Sequence, residues 1–106
     1  MSISNDGGNG VFMNIAVFPS VKEGKDKEFR EWFKRSNSVY SKFDGFISRR
    51  LLRSEEDGNY ATIVEHRNKE TFMKMHHSKE RDALFEKLLP LFQGRPSPNF
   101  YEVVEP

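Results

Sequence analysis

Between Tyr60 and Ser78, in YATIVEHRNKETFMKMHHS, the hydrophobic period changes from two residues to about 3.6 with no spacer between the two patterns. Tyr60 to Glu65 is β-branched and aromatic, the make-up of a half-buried strand. Asn68 then offers a side-chain oxygen to the free backbone N–H groups of a starting helix. Phe72 and Met75 or His76 follow at spacings of three and four, so they share a helix face. The stretch also holds all 3 histidines of the chain. His66 ends the strand and His76 and His77 end the helix, so all three can look into one space.

The rest of the chain supplies further layers for this unit. Val11 to Pro19 reads as a first strand, with Val11, Met13, Ile15 and Val17 on one face and Phe12, Asn14, Ala16 and Phe18 on the other. Both faces are largely apolar, so both need cover. Ser20 to Lys25 turns around Gly24. Asp26 to Phe43 is a helix whose stripe of Phe29, Trp32, Phe33, Ser36, Tyr40 and Phe43 faces a core. Core packing explains such a stripe, and Trp32 or Tyr40 can also line a ligand pocket. Phe46 to Arg53 and Tyr60 to Arg67 form a hairpin across Glu55 to Asn59, with Asp57-Gly58 at its tip. Arg49, Arg50 and Arg53 make a basic cluster on that hairpin, of the kind that blunts a solvated strand edge, with a binding role as the alternative.

A helix follows over Lys69 to His77, and a third over Lys79 to Phe92, capped by Ser78 and buried through Leu84, Phe85, Leu88 and Leu89. Pro90 lacks a backbone donor and bends or ends that helix. Gly94 to Pro98 is a loop and Asn99 to Val104 the last strand. The order β-α-β-β-α-α-β packs as an α+β, ferredoxin-like four-stranded antiparallel sheet with its helices on one face. The uncovered face then calls for a partner sheet. A homodimer through that open face, anchored by Phe12 and Phe18, supplies it.

Composition removes several alternatives. A formal net charge of +1 gives no bulk attraction to nucleic acid or anionic membrane. The third strand also lacks the glycine–aromatic signature with which RNA-recognition domains stack bases. No apolar run approaches the roughly 20 residues of a membrane span. With 0 Cys there is neither a disulfide framework nor a thiolate ligand or nucleophile, as suits a cytoplasmic protein. Residues 1–10, MSISNDGGNG, read as a disordered leader before a single domain at 11–106.

Four segments in order carry a family resemblance: the opening strand leading into VKEGKDKEF, the Gly45-Phe46 strand start leading into RRLLRSEEDG, the strand–helix unit YATIVEHRNKETFMKMHHS, and the closing NFYEVV. Together they resemble the antibiotic biosynthesis monooxygenase family of dimeric α+β barrel proteins. The resemblance implies a pocket between helices and sheet in each subunit, and oxygenation of a small aromatic or quinol-type substrate without metal or flavin. Many members carry Trp where this chain has His66, and His at the position of Met75, beside His76. Haem-degrading members carry Asn, Trp and a proximal His where this chain has Val17, His66 and Phe85, and Asn14 lies on the opposite strand face from the Asn position. Haem is therefore disfavoured as a cofactor, although His76 or His77 can still ligate iron.

A cofactor-free oxygenase needs a base, an oxyanion donor and a dry apolar chamber. His66 and His76 are the candidate catalytic bases, since an imidazole titrates close to working pH. Trp32, Tyr40, Phe46 and Phe72 are candidate walls that bind substrate, with Tyr40 or Asn37 donating a hydrogen bond. The plainer alternatives are a structural His66 and a helix-end role for His76-His77, where positive charge is favoured. Adjacent histidines point about 100° apart on a helix and chelate one ion poorly, so no metal site is expected. A non-catalytic ligand-binding dimer of the same fold is the alternative to an enzyme.

Overall fold

Strand β1 (Phe12–Val17), helix α1 (Asp26–Tyr40), strands β2 (Phe46–Arg53) and β3 (Tyr60–His66), helices α2 (Lys69–His76) and α3 (Lys79–Leu88) and strand β4 (Phe100–Glu102) follow one another in the computed structural model, which describes residues 10–106. The leader expected at 1–10 falls, Gly10 apart, outside the described residues. The sheet order is β2-β3-β1-β4 with every pair antiparallel, and the helices cover one face, the expected ferredoxin-like arrangement.

The helix starts lie where the sequence puts them. Asn68 Oδ1 accepts from the Thr71 N–H at 2.9 Å and Ser78 Oγ from the Arg81 N–H at 3.1 Å. Most ends shift by a residue or two, and three differ for a local reason. Helix α1 stops at Tyr40, short of Phe43, because the chain tightens into i→i+3 bonds (Lys42 N–H to Val39 O, Phe43 N–H to Tyr40 O) before Gly45. Helix α3 stops at Leu88, since Pro90 cannot continue the ladder, and Leu89–Leu91 forms a 3-10 turn. Strand β4 is reduced to Phe100–Glu102, with Ser97 held to Val17 by an isolated bridge.

The core lies between the helices and one sheet face. Along β3 the buried residues are Tyr60, Thr62, Val64 and His66, alternating with partly exposed Ala61, Ile63 and Glu65. Register places Phe12 opposite His66 and Asn14 opposite Val64, on that same buried side. Phe12 and Phe18, only 7% and 4% exposed, therefore pack into the helical layer and not on the open face, which corrects their expected part in a dimer. Phe12 meets Phe72, and Phe18 meets Phe29 and Phe92. The apolar surface left open is that of Met13, Ile15 and Val17 with Ala61, Ile63, Leu52 and Tyr101.

Gly45 joins the layers at the start of β2. Its φ of +86° suits glycine, and a Cβ there would lie 2.3 Å from Thr71 Oγ1. Substitution would therefore push α2 off the sheet. Gly45→Ala is expected to lower the free energy of unfolding by about 2 kcal/mol or more, from backbone strain and overpacking together, as read from urea denaturation. An unchanged midpoint would show that α2 does not depend on this contact.

Candidate functional site

A cavity of about 280 Å³ opens between the helical layer and the sheet, close to the lower end of small-molecule sites at about 300–1,000 Å³. Its floor is Asn14, Ala16, Thr62 and Val64 from the two central strands. Trp32 and Tyr40 come from α1, Phe72, Met75 and His76 from α2, and Arg81, Phe85 and Leu88 from α3. Arg95, Pro96 and Pro98 close it from the loop before β4, and Arg49 reaches in from β2.

The wall on α1 is fixed by side-chain hydrogen bonds. Trp32 Nε1–H donates to Leu84 O at 2.9 Å, tying α1 to α3. Ser36 is fully buried; its hydroxyl donates to Phe33 O at 2.7 Å and accepts from Arg49 Nη1 at 2.7 Å. The same Nη1 donates to Asn37 Oδ1 at 2.7 Å. The Arg49 guanidinium carbon sits 4.4 Å from the Phe33 ring centre, 4.8 Å from that of Tyr40 and 5.8 Å from that of Trp32. Burial lowers its pKa to about 10, partly offset by Tyr40, so it stays charged at neutral pH.

Sequence reasoning placed Arg49 in a basic cluster on a solvated edge, with binding as the lesser alternative. A β-bulge between Phe46 and Ser48 explains why. Strict alternation would set Arg49 on the face opposite Phe46, whereas the extra residue turns both toward the helices. Arg81 and Arg95 were also missed, because their place at the cavity depends on how α3 and the closing loop pack. Arg53 likewise faces the helical layer, donating from Nη2 to Tyr60 Oη at 2.7 Å; Arg30 Nε donates to the same oxygen at 2.9 Å, and the hydroxyl donates to Asp26.

Of the expected site residues, Trp32, Tyr40, Phe72 and His76 line the cavity. His76 stacks on Phe72 with ring centres 5.3 Å apart and meets the edge of Phe100 at 5.9 Å. Burial lowers its pKa, and the charges of Arg81 and His77 add to the effect against Asp82. It is therefore a neutral imidazole at pH 7, with no hydrogen-bond partner among the described residues. Tyr40 has its pKa raised by burial, with Arg49 and Arg81 acting against that, and it keeps its phenol proton.

His66, Asn37 and Phe46 do not line the cavity. His66 is 0% exposed behind Phe72, with Nδ1 3.0 Å from Thr71 Oγ1 and Nε2 3.3 Å from Met75 Sδ. The Thr71 hydroxyl also reaches Asn68 O at 3.0 Å, and the Met75 sulfur can only accept from the His66 ring. Phe46 packs its ring against His66, and Asn37 is engaged by Arg49. The three histidines do not share one space: His66 is in the core, His76 is at the cavity and His77 is exposed.

The residues present do not fit haem as the haem-degrading pattern would hold it. Val17 is 50% exposed on the open sheet face, His66 is enclosed, and Phe85 lies under Arg81 at 4.1 Å. Among the described residues no group of three or more His, Asp or Glu side chains is placed to hold a metal ion. No helix among them is long and apolar enough to cross a membrane.

Residues 11–87 match the antibiotic biosynthesis monooxygenase family. Solved structures share the fold at low identity. A conserved protein of Methanosarcina mazei Go1 superposes with a TM-score of 0.79 at 18% identity, covering 89% of this chain and 93% of that one. Rv0793 of Mycobacterium tuberculosis gives 0.79 at 14%, covering 91% and 97%. SnoaB, a cofactor-independent oxygenase of Streptomyces nogalater, gives 0.71 at 18%, covering 94% and 97%. Comparison with curated proteins gives no match.

The buried His66 and the half-buried His76 make stability depend on pH. Burial is the main cause that lowers the pKa of both His66 and His76. Between those lowered values and about 6.5 the unfolded chain binds more protons than the folded one, so stability rises with pH through this window and is lost as pH falls through it. The urea midpoint is expected to drop from about pH 7 to about pH 5.5, with a smaller drop in His66→Gln. Equal drops in parent and variant would show that His66 does not carry this linkage.

Proposed function

This chain belongs to the antibiotic biosynthesis monooxygenase family, and from that premise we propose that it is a cofactor-independent monooxygenase of a small aromatic or quinol-type compound. The observation that carries the reading is His76: a neutral imidazole, stacked on Phe72, at the wall of a chamber built from Trp32, Tyr40 and Phe72. SnoaB, which has the same fold, supports an oxygenase that works without cofactor.

In the proposed reaction His76 takes a proton from the substrate as general base. The resulting anion gives one electron to dioxygen, and the two radicals combine to form a C–O bond. Loss of water then converts a ring CH₂ and O₂ into C=O and H₂O, so the substrate is oxidised and dioxygen reduced. Tyr40, which keeps its phenol proton, donates to the developing oxyanion. Trp32 and Phe72 exclude water and hold the ring plane. His66 holds α2 through Thr71 and Met75, and so positions His76 from behind.

With a panel of quinols and anthrones, oxygen-electrode assays are expected to show uptake by the parent protein. His76→Ala should lower kcat by about 10²–10⁴-fold, while His66→Gln leaves most activity. Quinol binding without uptake would make this a binding module.

The reading includes a homodimer through the open sheet face, now centred on Ile15, Ile63 and Tyr101. That face carries more apolar surface than a solvated sheet needs, with Val17 50%, Leu52 42% and Tyr101 54% exposed. Ile63→Glu, on a central strand, is expected to give monomers by analytical ultracentrifugation where the parent sediments as a dimer. A monomeric parent would overturn this assembly.

A further inference from the structure

The cavity's charges are all of one sign. Arg49, Arg81 and Arg95 line it beside His76, and no Asp or Glu does. Arg81 lies over Phe85 at 4.1 Å and, among the described residues, pairs with one carboxylate, the mostly exposed Asp82 at 3.8 Å. Arg95 lies 5.6 Å from the same ring.

Arg49 is the best defined of the three. A guanidinium has five N–H donors. Arg49 engages Ser36 and Asn37 through Nη1 alone. Its Nε and Nη2 edge has no partner among the described residues, and no carboxylate among them forms an ion pair with it. That edge offers two parallel N–H groups, the geometry that takes a carboxylate in a bidentate way. The rings of Phe33, Tyr40 and Trp32 and the bonds to Ser36 and Asn37 hold the head in place before any ligand arrives. A charge held between rings without a counter-ion is unfavourable for folding, which makes sense where a ligand completes the pair.

We infer that the cavity takes an aromatic carboxylate, its ring against Trp32 and Phe72 and its carboxylate on the free edge of Arg49, with Arg81 and Arg95 drawing the anion in. The inference deepens the function proposed above by naming the substrate class. Its test reads binding without turnover, so the two can fail separately.

Isothermal titration with 2-naphthoate and 2-naphthol, one ring system with and without the carboxylate, tests it on the unmodified protein. Quenching of Trp32, the 1 tryptophan of the chain, gives a second readout for the acid. Naphthoate is expected to bind at least about tenfold tighter than naphthol and to weaken with added salt. Arg49→Met should remove that advantage, leave naphthol binding unchanged, and raise or preserve the melting temperature of the free protein. Equal affinities for acid and alcohol, no binding of either, or an undiminished preference in Arg49→Met would overturn the inference. Tight naphthoate binding without oxygen uptake on any hydroxylated naphthoate would leave it standing and count against the oxygenase.

Discussion

A single layer of helices covers one sheet face, and aromatic rings do most of the filling between them. Phe29 is fully buried and touches Phe18, Trp32, Tyr60 and Phe92, with ring centres 4.9–6.0 Å apart. Such pairs contribute about 0.5–1.5 kcal/mol each beyond their buried area. A second group, Phe12, Phe72 and Phe100, continues to His76. The cavity lies between these two groups, with Trp32 on one side and Phe72 on the other.

The chemistry of that space follows from what the rings exclude. Burial, partial at His76 and Arg49, lowers the pKa of these two groups and raises that of the Tyr40 phenol. An unprotonated imidazole, a protonated phenol and a guanidinium thus share one chamber at neutral pH. The same burial makes the unpaired guanidinium costly for folding, a common trade between stability and a binding site. His66, which is fully buried, lies outside this space, with Thr71 and Met75 against its ring nitrogens.

Most of the fold was legible in the chain. Helix starts at Asp26, Lys69 and Lys79, the stripe through Phe29, Trp32, Ser36 and Tyr40, and the hairpin around Asp57-Gly58 all depend on neighbours within a turn or two. Periodicity and capping report such neighbours directly. Faces were less legible where both sides of a strand are apolar. In β1 the two candidate faces differ little in composition, so Phe12 and Phe18 could be assigned to the open side until pairing with β3 fixed them inward.

The sequence by itself determined the element order and the one-sided layering, because these follow from local periods and connection rules. Only the tertiary structure decided which histidine meets the cavity and that Arg49 does too. His66 and His76 differ in what packs around them, which no local pattern reports. Arg49 depends on a bulge between Phe46 and Ser48, and one inserted residue reverses the face of everything after it.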